Sequence, residues 1–167
     1  MYAGWPSKIK ERLDLLVDCI DEISSKYDIQ LDIYGINENQ YRDMYQVEND
    51  KKIVSAVLFH GRVSHTETLK AVSNADYSLI IRESSRKNNA GFPSKLVESV
   101  SCGTPVLTTD ISNVKDYVGD GKNGFIISID SLKEDLEFAI ENIKKTTVDS
   151  DLFDYRKYIP IMKDLLE

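Results

Sequence analysis

Six short runs rich in β-branched residues alternate with helical stretches along the whole chain, and that alternation leaves few folds open. The runs are YAGW (2–5), QLDIYGI (30–36), SAVLFHG (55–61), YSLIIR (77–82), PVLTT (105–109) and NGFIISI (123–129). Between them, apolar residues recur at helical spacing. Lys8 to Lys26 carries Ile9, Leu13, Leu16, Val17, Ile20 and Ile23 on one stripe. Further helices are expected near 38–48, over Thr66 to Asn74 with Ser64 or His65 as cap, over 93–102, from a Ser131 cap to about Lys145, and near 152–167, with a helical turn around 113–117. Parallel strands need crossovers, and crossovers are right-handed. The expected fold is therefore α/β: a doubly wound, mainly parallel six-stranded Rossmann-like sheet with helices on both faces.

A chain of 167 residues is long enough for one such domain with a full core. The formal charge of −7 argues against nucleic acid as a partner, because phosphate backbones are bound by basic surfaces. No apolar run reaches the roughly 18–20 residues of a membrane span, and no signal-peptide pattern opens the chain, so a cytoplasmic protein is expected. Cys19 and Cys102 are too few for a disulfide framework and are expected as buried free thiols. His60 and His65 have no Cys or acidic partner at metal-ligand spacing, so no metal is expected. Asp149-Ser150-Asp151 precedes a helical pattern and is expected to cap it.

In doubly wound sheets, ligands sit outside the carboxyl ends of the strands. Three loops leave strands at that edge: Gly4 to Arg12, Gly61-Arg62-Val63 onward, and Arg82 through Pro93. The last delivers the chain into NAGFPSKLVESVSCGTPVLTTD (89–110). Gly91 permits a sharp turn and a close ligand approach. Pro93 suits a first helical turn. The amides of residues 94 to 96, at the positive end of the helix dipole, make a seat for phosphate, and Lys95 adds a charge there. Glu98 shares a helix face with Ser94 and Lys95, and a carboxylate can accept two hydrogen bonds side by side, as the vicinal hydroxyls of a ribose require. The same spacing also suits a solvated Lys95–Glu98 surface pair.

The stretch GFPSKLVESVSCGTPVLTTD, followed by SNVKDYVGDGKNGFII, resembles the carboxyl-terminal, nucleotide-sugar-binding domain of the retaining glycosyltransferases of family 4. The likeness continues in YAG…KERLDLLVDCI, LDIYG, VLFHGRV and NADYSLIIR and so covers nearly the whole chain. The resemblance implies one of two Rossmann-like domains, with residues 1–150 forming the donor-binding unit and residues 151–167 a helix that crosses back to a missing amino-terminal acceptor domain. It implies that Glu98 is the second glutamate of a Glu-x(7)-Glu motif and holds the ribose. Gly91, Phe92, Pro93 and Ser94 would meet the diphosphate and sugar, and Gly61, Arg62 and Val63 the base. Lys8, Lys10 or Arg12, near Gly4, would match the basic diphosphate clamp. Lys95 would serve the phosphates, and Arg82 would supply positive charge where Trp5 replaces the arginine that commonly follows the glycine. Ala90 stands where the first glutamate belongs.

The implied protein moves a hexose or N-acetylhexosamine from a nucleotide-diphospho-sugar to a glycan or lipid-linked acceptor, in bacterial surface polysaccharide synthesis. No cofactor or metal is implied, and peripheral association with the inner face of the membrane is expected of the full-length protein. A nucleotide-sugar-binding module without catalysis, or half of a nucleotide-sugar epimerase, are the alternatives.

Overall fold

The computed structural model describes residues 1–7, 10–48, 50–119 and 121–165. Its strands are β1 (Tyr2–Ala3), β2 (Leu31–Tyr34), β3 (Val57–Gly61), β4 (Ser78–Ile80), β5 (Val106–Thr109) and β6 (Gly124–Ile127). Every strand pairing is parallel, in two three-stranded sheets ordered β1-β2-β3 and β4-β5-β6. The two sheets meet where β1 runs beside β4, and the Leu79 N–H donates to the Met1 carbonyl across the seam at 2.9 Å. The spatial order is thus β3-β2-β1-β4-β5-β6, and the chain reverses its direction of winding between β1 and β4.

The central strands are apolar on both faces because both are covered. Leu79, Ile81 and Leu107 point into one core with α1 (Leu13–Ile23), α2 (Glu38–Tyr45) and α6 (Leu132–Glu141). Ile80 and Val106, one residue out of phase, point into a second core with Leu96 and Val100 of α5 (Ser94–Ser101), which packs beside α3 (His65–Ser73). Leu16 of α1 and Leu96 of α5 are each fully buried. Truncating either to alanine is expected to cost about 2–5 kcal/mol.

Several boundaries differ from those the sequence suggests. Among the described residues α1 begins at Leu13, because the Arg12 N–H leaves the helical ladder for a long-range bond after a local turn closed on Ser7; the expected start at Lys8 lies outside the described residues. The Lys10 and Glu11 N–H groups donate to the Ser7 carbonyl, and the Arg12 N–H donates to Ile81 at 3.0 Å. Ser64, not His65, caps α3, in a reciprocal box with Glu67. Ser131 does not cap the backbone of α6; its hydroxyl donates to Asp135, whose carboxylate also accepts the Ser128 N–H. α6 stops at Glu141, and a separate tight turn covers Ile143–Lys145. A short helix not foreseen, α4 (Arg86–Asn89), is capped by Ser85.

The last helical pattern shrinks to α7 (Ile159–Asp164) after a tight turn at Tyr155–Tyr158. Pro160 sits in its first turn, where a missing N–H is tolerated, and would break a helix running in from residue 152. Asp149 and Asp151 therefore cap no helix. The Asp149 N–H instead donates to Asn123 Oδ1 at 2.8 Å, and its carboxylate lies 3.7 Å from Lys157. Cys19 is buried and Cys102 half-buried, both as free thiols, and burial pushes the Cys19 thiol up to about 11. No described helix is long and apolar enough to cross a membrane.

Candidate functional site

Because all six strands run parallel, all six end on one edge of the sheet, and the loops after β1, β3 and β4 leave from it. Gly4 ends β1 with φ of +133°, and a Cβ there would stand 2.8 Å from the Lys95 ammonium. Lys95 therefore reaches from α5 across the seam to the backbone of the β1 loop. Gly61 closes β3 with φ of +68° and open space around it. Beside it Arg62 is exposed and Val63 half-buried.

The ion pairs at the seam differ from those that spacing on α5 suggests. Lys95 does not pair with Glu98. Its Nζ lies 3.9 Å from Oε1 of Glu11 and 4.3 Å over the Tyr2 ring. Arg82 forks onto the same Glu11 oxygen, with Nε at 3.2 Å and Nη2 at 3.0 Å. Arg82 is buried, and Thr109 fixes its backbone, accepting its N–H at 2.9 Å and donating to its carbonyl at 2.7 Å. Burial lowers the Lys95 ammonium to about 8; Glu11 opposes the shift, and Arg82 and Lys10 add to it. The Tyr2 hydroxyl is buried here without a hydrogen-bond partner among the described residues.

Glu98 sits one turn further along α5, half-buried. Among the described residues no hydrogen bond or ion pair engages its carboxylate. The solvated Lys95–Glu98 pair is thus absent, and Glu98 is left unpaired. The amides ahead of it are fewer than the sequence suggests. Leu96 N–H already donates to the Pro93 carbonyl at 3.0 Å, which leaves the Ser94 and Lys95 amides to serve an anion. Pro93 stands one position before the helix, with ψ of 110°.

The corner itself is held from several directions. Phe92 packs edge-on against Tyr117 at 5.1 Å and Phe153 at 6.0 Å, while Gly91 and Ala90 stay exposed. Asn88, buried in α4, donates to the Glu83 carbonyl at 2.8 Å, and Asn89 accepts the Ser112 N–H at 3.1 Å. A cavity of about 530 Å³ lies beside this loop, lined in part by Arg82, Ser84, Thr109, Asp110 and Ser128. Another of about 520 Å³, lined by Met1, Leu31, Asp76 and Tyr77 among others, opens at the opposite edge and contains none of the expected site residues.

The basic-clamp candidates separate. Lys8 lies outside the described residues. Lys10, in the loop after β1, is exposed. Arg12 is engaged by Asp14 at 2.9 and 3.0 Å and by Glu83 at 2.5 Å. Glu11, which binds two of the expected cations, was not foreseen. The only signal in the sequence is a lone acid in the basic run KIKER (8–12). No group of three or more His, Cys, Asp or Glu side chains is placed to hold a metal among the described residues.

Residues 8–151 match the sequence model of the family described as "Glycosyl transferases group 1". Among curated proteins none matches the chain. The structure of Anabaena Alr3699/HepE in complex with UDP and glucose is similar at a TM-score of 0.66 and 18% identity, over 89% of this chain and 40% of that one. Sucrose-phosphate synthase (tll1590) from Thermosynechococcus elongatus is similar at a TM-score of 0.70 and 14% identity, over 99% of this chain and 44% of that one. TarM is similar at 0.62 and 18%, over 86% and 28%. At these identities the likeness is one of fold, and the chain spans less than half the length of each neighbour. The family match runs from residue 8 to residue 151, through β2 to β6, and the chain belongs to the glycosyl transferases of group 1.

Proposed function

We propose that the chain is the donor-binding half of a retaining glycosyltransferase of family 4, and that it seats a nucleotide-diphospho-sugar at the carboxyl edge between β1 and β4. The observation that carries this reading is the separation of Lys95 from Glu98. One turn of α5 presents a cation drawn toward the seam and, beyond it, a carboxylate with no hydrogen bond or ion pair among the described residues. A diphosphate near Gly91 to Lys95 would meet the helix end and the ammonium. A ribose over Glu98 would supply two donors to an acceptor that lacks them. The Anabaena neighbour's complex with UDP and glucose supports a nucleotide-sugar ligand for this fold.

In this reading the full enzyme transfers a hexose or N-acetylhexosamine to a glycan or lipid-linked acceptor held by an amino-terminal domain, at the inner face of the membrane. The departing diphosphate is stabilised by Lys95 and the α5 amides, with no metal or cofactor. The exposed side chains of α7, including Ile161 and Met162, face that domain. Ala90 favours a second reading, a binding module without catalysis, since the first glutamate of the family motif is missing. Calorimetric titration of the chain with a panel of nucleoside diphosphates and their sugars tests the proposal. Binding of one base as the diphosphate, and much weaker binding of its nucleoside, is expected. No binding of any member at millimolar concentration would overturn it. Sugar release from the bound donor by a full-length protein would separate enzyme from module.

A further inference from the structure

The Glu11 side chain is only 4% exposed, and a carboxylate so placed is costly unless charges and hydrogen bonds surround it. Three elements supply them. Arg82 comes from the end of β4 and Lys95 from the first turn of α5. The Ser7 N–H of the β1 loop donates to Glu11 Oε2 at 3.3 Å. The Glu11 backbone is also tied, since the Tyr45 hydroxyl of α2 donates to its carbonyl at 2.9 Å.

The two cations are held differently. Arg82 makes two hydrogen bonds to Glu11, has a 9% exposed side chain and is fixed through Thr109. Lys95 stands at 3.9 Å, beyond hydrogen-bond reach, with 21% of its side chain open. One carboxylate against two cations leaves a single positive charge at the seam, and of the two cations the lysine has the more open side chain.

We propose that Glu11 is a positioning residue for anion recognition: it locks Arg82 beyond the end of β4 and steadies the Lys95 ammonium at the cleft, so that an arriving diphosphate meets one ammonium that Glu11 holds in place without a hydrogen bond. This rests on the nucleotide-sugar reading above. Among the described residues, the charged and titratable groups around Lys95 are Tyr2 of β1, Lys10 and Glu11 of the following loop, Arg82 just beyond β4, and Glu98 on its own helix. Glu11 is the acid nearest it and favours its charged form.

The test is the pH dependence of nucleoside diphosphate affinity relative to the bare nucleoside, from pH 7 to 9.5, in wild type, Glu11→Gln, Glu11→Asp and Lys95→Met. In wild type the preference for the diphosphate should fall as pH rises through about 8, and in Lys95→Met it should be weak and flat. In Glu11→Gln the midpoint should drop by about one pH unit, since an opposite charge within ~4–6 Å shifts a pKa by about that much or more. Glu11→Asp, which keeps the charge but draws it back, should lower the midpoint by less. Should Glu11→Gln fail to fold, Glu11→Asp decides alone. A midpoint equal to that of wild type in the variants would overturn the role of Glu11 while leaving the site reading intact. A wild type that binds no diphosphate, or binds it with no dependence on Lys95, would overturn the site reading itself.

Discussion

Lys95 and Glu98 lie three residues apart on α5 yet do not pair; Lys95 Nζ stands 3.9 Å from Glu11 and 4.3 Å over the Tyr2 ring. A surface helix would let the two charges meet. Here the seam between β1 and β4 draws the lysine inward, and among the described residues no hydrogen bond or ion pair engages the glutamate.

That placement costs stability. The folded chain holds Lys95 at about 8, below the ordinary 10.5. Below pH 8 the lysine is charged in the folded and unfolded chain alike, and the full cost of burying the charge is present. Between about 8 and 10.5 the folded chain releases the proton first, so stability rises with pH across that window. Lys95→Met should therefore stabilise the ligand-free protein at pH 7 by roughly 1–3 kcal/mol, and the advantage should shrink above pH 8. Urea unfolding of the two proteins from pH 7 to 9 measures it. A destabilised Lys95→Met would show that the lysine is held by favourable packing instead.

Phe153 ties the carboxyl-terminal segment to the corner. It lies 6.0 Å from Phe92 and 5.4 Å from Tyr117, and with Leu152 it packs on the second core. Phe153→Ala should cost roughly 1–2 kcal/mol, allowing for its partial exposure and the aromatic contacts it loses. It should also raise amide exchange at residues 91, 92, 94 and 95. Unchanged exchange there would mean that the corner stands without the ring cluster.

The residues beyond it behave differently. Ile159, Ile161, Met162 and Leu165 are all more than 40% exposed, so α7 has little burial to stabilise it. Hydrogen exchange should find its amides far less protected than those of α5. Equal protection would place α7 within the cooperative unit of this domain.

Strand alternation and helix periodicity made the α/β class and the set of loops at the carboxyl edge legible, because parallel pairing and burial on both faces follow from local pattern. YSLIIR shows why: alternate residues of one apolar run serve two cores. What remained hidden was non-local. The start of α1 is delayed by an Arg12 bond to Ile81, and the destination of Lys95 is set by Glu11, distant in sequence. Helix spacing pairs Lys95 with Glu98, and only the seam shows which partner wins. α4 was hidden for a different reason, since four residues are too few to show a period.

Ala90 is exposed beside Gly91 at the corner. Ala90→Glu should leave nucleoside diphosphate affinity within about twofold, a few tenths of a kcal/mol, and alter the response to the attached sugar. Trp5 is the single tryptophan and is 62% exposed in the loop leaving β1, so its emission reports ligands at this edge. Equal changes in affinity for diphosphate and diphosphate-sugar would place position 90 near the phosphates rather than the sugar.

The unpaired carboxylate of Glu98 is the centre of the account, and one calorimetric comparison tests it most directly: the preferred nucleoside diphosphate and its 2′-deoxy form, each titrated into wild type and Glu98→Ala. If the carboxylate accepts the ribose hydroxyls, Glu98→Ala should lose roughly 2–3 kcal/mol of binding, the range of charge-assisted hydrogen bonds, and should no longer distinguish the two ligands. Wild-type affinity in Glu98→Ala, with the same preference for the ribose form, would contradict the account and return α5 to an ordinary solvated helix.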